Sequence, residues 1–197
     1  MLLGMSSVYA AEPNDRTNRV EITPFAGFMG GGEFEDPADD SERSLEDDTS
    51  FGVIVDIADE PWRHYEFIYS QQNTEVGGVS PLDMDVQYLQ IGGIVSHPDA
   101  TRVIPYFGMT IGAARFSPDL SGLDDETKLS FSVAGGVRVP FTDHFGLRFD
   151  VRAFVTSLGS DSEVFCVSAP PVGGCSIRAK SDTFLQYAAS LGVIFGF

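Results

Sequence analysis

The sequence predicts an all-β fold, an eight-stranded antiparallel transmembrane β-barrel, on three observations. Eight segments of the 197-residue chain carry a two-residue alternation, with no helical pattern between them. No run of 18 apolar residues occurs, so no transmembrane helix is expected, which leaves membrane strands untouched. The connections alternate long and short, as in a barrel with short periplasmic turns and long extracellular loops.

Taken in order, the strands fall near 20–29, 50–58, 63–72, 84–96, 103–116, 127–139, 145–157 and 184–197. Connections 30–49, 73–83, 117–126 and 158–183 are long; 59–62, 97–102 and 140–144 are short and carry Pro61, Pro98 and Pro140. Trp62 and Tyr65, beside a short turn, read as a periplasmic aromatic girdle. Gly92, Gly93, Gly108 and Gly112 blur the period of the fourth and fifth strands, whose faces stay unassigned.

The last three strands are the clearest. Leu129, Phe131, Val133, Val137 and Val139 share one face, and Lys128, Ser130, Ser132, Ala134, Gly136 and Arg138 the other. Leu147, Phe149, Val151, Ala153 and Val155 alternate with Arg148, Asp150, Arg152 and Thr156. Leu185, Tyr187, Ala189, Leu191, Val193, Phe195 and Phe197 form an apolar or aromatic face to the end of the chain. Eight strands enclose just enough room for side chains. Packing every apolar face inward would overfill it, so the apolar faces belong to lipid and the polar faces to the lumen.

Charge separates accordingly. The lumen candidates are Glu21, Asp56, Glu66 and Asp150 against Lys128, Arg138, Arg148 and Arg152, a balanced ion-pair network. A closed interior requires such pairing. The excess behind the net charge of −17 sits in the long connections, which argues against any nucleic-acid partner. In 30–49, Glu33, Glu35, Asp36, Asp39 and Asp40 offer hard oxygen donors for a divalent cation. They lack the spacing of an organised calcium loop, and a solvated, self-repelling loop is the simpler reading. No cofactor is expected.

Residues 1–10 read as an export signal, with Val8 and Ala10 at the −3 and −1 positions of a cleavage site. It lacks a positive n-region, so the true start is expected upstream. Residues 11–19 form a periplasmic segment and 20–197 the barrel domain. Cys166 and Cys175 flank a Pro/Gly-rich turn and predict a disulfide, worth about 2–3 kcal/mol for so short a loop.

With this pattern, Pro105-Tyr106-Phe107-Gly108-Met109-Thr110-Ile111-Gly112 and the terminal Val193-Ile194-Phe195-Gly196-Phe197 resemble the small outer-membrane barrels of OmpA-like, OmpX-like and opacity type. The resemblance implies a Gram-negative outer membrane, contact with its lipid and lipopolysaccharide, and recognition of Phe197 by the barrel-assembly machinery. It implies a non-enzymatic protein serving envelope integrity and surface contacts. The alternative is a narrow channel for small hydrophobic molecules or ions, as in OmpW-like barrels. Lipid A deacylases of this size place a His two residues before a nucleophilic Ser. Here His64, His97 and His144 are followed at that distance by Glu66, Asp99 and Gly146. His64 and Glu66 share the inward face, but without a nucleophile His64 reads as a lumen histidine.

Overall fold

The computed structural model describes residues 20–31, 33–35, 42–44, 48–76, 82–100, 102–118, 125–158, 163–167, 174–178 and 183–197. They contain β1 (Val20–Gly31), β2 (Glu33–Glu35), β3 (Glu42–Ser44), β4 (Asp48–Glu60), β5 (Arg63–Val76) and β6 (Leu82–Ser96). There follow β7 (Ile104–Pro118), β8 (Glu126–Pro140), β9 (Phe145–Ser157), β10 (Glu163–Val167), β11 (Gly174–Arg178) and β12 (Thr183–Gly196). Eight strands close into a barrel in the order β1-β12-β9-β8-β7-β6-β5-β4, every neighbour antiparallel. The expected signal segment and residues 11–19 lie outside the described residues.

Two expectations about the connections need correction. Residues 30–49 and 158–183 are not bare loops: they contribute β2, β3, β10 and β11 to a four-stranded sheet of order β10-β11-β2-β3. The connection placed at 73–83 shrinks to 77–81, because β5 and β6 stay paired as far as Val76 and Leu82. It is then no longer than 97–103, so long and short do not alternate strictly. The extension is hidden in sequence because Gln71, Gln72, Asn73 and Thr74 are polar on both faces. A strand that has left the apolar belt loses the contrast on which periodicity depends.

The barrel is inverted relative to a soluble one. Leu129, Leu191, Ile111 and Met109 are each more than half exposed on the outside, whereas Asp56, Glu66 and Arg148 are at 0–1% exposure within. Parity now assigns the two strands that sequence left open. Tyr106, Thr110, Ala114 and Phe116 of β7 are buried in the lumen, and Phe107, Met109 and Ile111 face out. One weak point lies in the wall: Pro24 has no N–H to give, and the β1–β12 ladder skips Thr23 and Pro24 while β1–β4 runs through both.

We call the end carrying the turns 61–62, 97–103 and 141–144 the turn end, and the opposite one the loop end. At the loop end the lumen is filled by Met29, Met84, Val86, Tyr88, Phe116, Phe154, Leu158 and Phe184. Tyr88 stacks on Phe154 with centroids 4.1 Å apart, and Phe116 meets Phe184 edge-on at 5.4 Å. The expectation of a polar lumen is therefore right for only part of its length.

Candidate functional site

Below the apolar cap the lumen is polar and layered. Tyr88 Oη donates to Gln186 Oε1 at 2.6 Å, Gln186 Nε2 to Gln72 Oε1 at 3.0 Å, and Gln72 Nε2 to the Met29 carbonyl at 2.8 Å. The next layer joins Thr110 to Gln90 (2.7 Å), Gln90 to Ser130 (3.0 Å) and Thr156 to Ser130 (3.1 Å). Inward polar groups of these layers thus satisfy one another, from adjacent strands as in Thr110–Gln90 and across the lumen as in Tyr88–Gln186. Buried polar groups without such partners would cost more than they return.

The charged layer follows. Arg148 Nη1 lies 2.9 Å from Asp56 Oδ2, and its Nη2 lies 2.5 Å from Glu66 Oε2 and 3.0 Å from Asp150 Oδ2. Arg152 reaches Glu66 Oε1 at 2.8 Å and Asp150 Oδ1 at 3.2 Å, and donates through Nη1 to Ser132 Oγ at 3.0 Å. All five charged side chains are at most 5% exposed. Tyr106 completes the group, donating to Asp150 and accepting from Arg148 Nε at 2.9 Å. Bidentate guanidinium contacts of this kind fix geometry as well as charge.

Of the eight charged residues placed in the lumen by sequence, five form this cluster. Arg138 and Glu21 make a separate pair one layer nearer the turn end. Lys128 is in neither: its Nζ lies 3.1 Å from Glu126, and both are about a quarter exposed near the loop end. The balanced four-against-four network is therefore corrected. Sequence parity placed Lys128 on the inward face but gave no depth along the strand. Tyr106, Thr110 and Gln90 complete the network from the two strands whose facing the glycines hide in sequence, and Ser132 joins it from the inward face of β8.

Gly136 shows how tightly Tyr106 is held. A Cβ there would stand 2.6 Å from Tyr106 Oη and 2.0 Å from the Phe149 carbonyl. Gly136→Ala should displace the phenol from Asp150 and cost about 1–3 kcal/mol through overpacking. Gly135→Ala, whose Cβ meets nothing closer than 3.9 Å, should be near neutral. Urea unfolding midpoints of the two refolded variants check this.

At the turn end a vestibule of about 230 Å³ opens beneath the cluster, lined by Glu21, His64, Arg138, Thr142, His144 and Ile194 among others. His64 is buried, whereas His97 and His144 lie exposed in turns. His144 Nδ1 is 2.9 Å from the Gly196 carbonyl. The guanidinium of Arg63 sits 5.3 Å from the Trp62 ring centroid at the same rim, and Tyr65 faces outward. Phe197 is 70% exposed, and its N–H donates to the Val20 carbonyl at 2.9 Å. The antiparallel register sets Cys166 directly opposite Cys175; the bridge itself lies outside what the structure describes. Asp36, Asp39 and Asp40 are outside the described residues, as are the side chains of Glu33 and Glu35.

No family model matches the chain, and no curated protein matches it. Among solved structures it is similar to Neisserial surface protein A, at 15% identity and a TM-score of 0.62, covering 90% of this chain and 97% of that one. It is similar to the outer membrane protein OprG from Pseudomonas aeruginosa, at 12% identity and a TM-score of 0.61, covering 92% and 97%. It is also similar to the outer membrane protein AlkL, solved in lipid bilayers, at 18% identity and a TM-score of 0.57, covering 98% and 97%. The fold is that of the small barrels of Gram-negative outer membranes, and the apolar belt suits it to a bilayer.

Proposed function

We propose that this chain is a non-enzymatic barrel of the Gram-negative outer membrane, closed by its own lumen, which contributes to envelope integrity and makes surface contacts through acidic extracellular loops. The observation that carries this is the filled interior: the Arg148–Arg152 cluster, the amide and hydroxyl layers above it, and the apolar cap. The partners we assign are outer-membrane lipid and lipopolysaccharide on the belt and the barrel-assembly machinery at Phe197. Divalent cations at the acidic connections and a Cys166–Cys175 disulfide in the outer sheet belong to the same reading.

The competing reading is a narrow channel for small hydrophobic molecules or ions. It requires a continuous path through layers whose groups bond to one another. Single-channel recording of the refolded barrel in a planar bilayer separates the two. The wild type should be silent, with heat-modifiable gel migration proving that it is folded, and Arg138→Ala should also be silent because the Arg148 cluster lies beyond it. Discrete wild-type openings would move transport to first place.

A further inference from the structure

Among the described residues the lumen charges do not balance. Register sets Glu21 opposite Asp56 and Asp56 opposite Glu66, three carboxyl groups side by side on β1, β4 and β5. Like charges directly opposite one another in a sheet repel. Asp150 on β9 makes a fourth. The bases that face them are Arg138 from β8 and Arg148 and Arg152 from β9. Among the described residues, four acids therefore meet three guanidinium groups inside a wall surrounded by lipid, one negative charge in excess. A buried charge without a counter-ion is far more costly than a neutral group in its place.

The contacts indicate where the excess is removed. Both oxygens of Glu66 are held, Oε1 by Arg152 and Oε2 by Arg148. Both oxygens of Asp150 are held, by Arg152, Arg148 and Tyr106. Glu21 is paired with Arg138 and borders the open vestibule. Asp56 alone of the four acids has an oxygen, Oδ1, that is fully buried and meets no partner among the described residues, while its Oδ2 is taken by Arg148. A metal ion has no place at an oxygen shielded in this way, whereas a proton needs no space. The other titratable group nearby is His64 on β5, two residues from Glu66 and at the vestibule wall. Its buried Nδ1 meets no hydrogen-bond partner among the described residues, so a charged ring, with an N–H on both nitrogens, would leave that donor unsatisfied.

We propose that the folded lumen binds one exchangeable proton, held as a neutral carboxyl group on Asp56. The proton makes closure of the barrel a proton-linked property. The folded state holds a proton that the unfolded chain releases, so stability falls as pH rises across the range in which only the folded state keeps it.

Infrared spectroscopy of the refolded barrel in lipid at neutral pH tests this without reference to conductance. The wild type should show the carbonyl stretch of one protonated carboxyl group. The band should vanish in Asp56→Asn and persist in Asp59→Asn, at the exposed turn end of β4. Labelling with carboxyl-¹³C aspartate should shift it and labelling with carboxyl-¹³C glutamate should not, which identifies the residue type even if Asp56→Asn fails to fold. In urea, the wild-type unfolding constant should rise by about tenfold per pH unit relative to that of Asp56→Asn. A folded wild type with no acid band overturns the proposal, as does a band that follows the glutamate label or survives Asp56→Asn.

Discussion

Arg148→Met should lower the stability of the refolded barrel by about 3–5 kcal/mol, more than the overpacking expected of Gly136→Ala. The guanidinium is the hub of the charged layer: it is the arginine on Asp56 and one of two on Glu66 and Asp150. It is 1% exposed, so water is not at hand to replace it. Methionine keeps much of the volume and none of the charge, leaving three buried carboxyl groups with Arg152 as their remaining cluster base. Most of the loss is the penalty on those carboxyl groups, not the worth of the pairs themselves. For that reason Arg148→Met combined with Glu66→Gln, which removes one of the charges that Arg148 shares with Arg152, should recover part of the deficit, a coupling that a double-mutant cycle reads directly. Urea unfolding followed through Trp62, the one tryptophan, measures both. A loss below about 1 kcal/mol would resemble that of an exposed pair, and would mean a hydrated lumen rather than a closed one.

The parts of this architecture that were legible in sequence share a cause. Where a strand crosses lipid, one face must be apolar and the other must serve the lumen, so Leu129-Phe131-Val133 against Ser130-Ser132-Ala134 announces both the strand and its facing. The same parity put Glu66, Arg148, Asp150 and Arg152 inside. It failed where the physical contrast fails. From Gln71 to Thr74 both faces are polar, so the pattern fades at Gln72 and the end of β5 from Asn73 on reads as connection. At Phe154-Val155 and Phe184-Leu185 apolar side chains point both ways, and the inward Phe154 and Phe184 of the cap were masked by their outward neighbours. The glycines of β6 and β7 erase the signal because they carry no side chain to face either way. Pairing across the lumen was out of reach altogether. Arg148 and Asp56 are joined by the closure of the sheet, not by spacing, and parity cannot tell Lys128 near one end from Arg152 in the middle.

That dependence on depth gives the second large effect. Val133 lies midway along β8, outward, between Met109 of β7 and Ala153 of β9. Val133→Arg should cost about 2–4 kcal/mol in a bilayer, because the guanidinium must sit in hydrocarbon or draw water and headgroups to itself. Val139→Arg, on the same face six residues nearer the turn end, should cost only about 0–1 kcal/mol, since there the side chain reaches the interface. Ser132→Arg is governed differently: Ser132 is fully buried against Thr110 and Arg152, so the penalty comes from overfilling and like charge. Unfolding free energies measured in bilayers and again in detergent micelles tell these apart. The gap between Val133→Arg and Val139→Arg should narrow in micelles, which deform around a charge, while the Ser132→Arg penalty should persist. Equal penalties at positions 133 and 139 in bilayers would mean that the belt is not centred on the middle of β8, and the depth assigned to every lumen layer would have to shift with it.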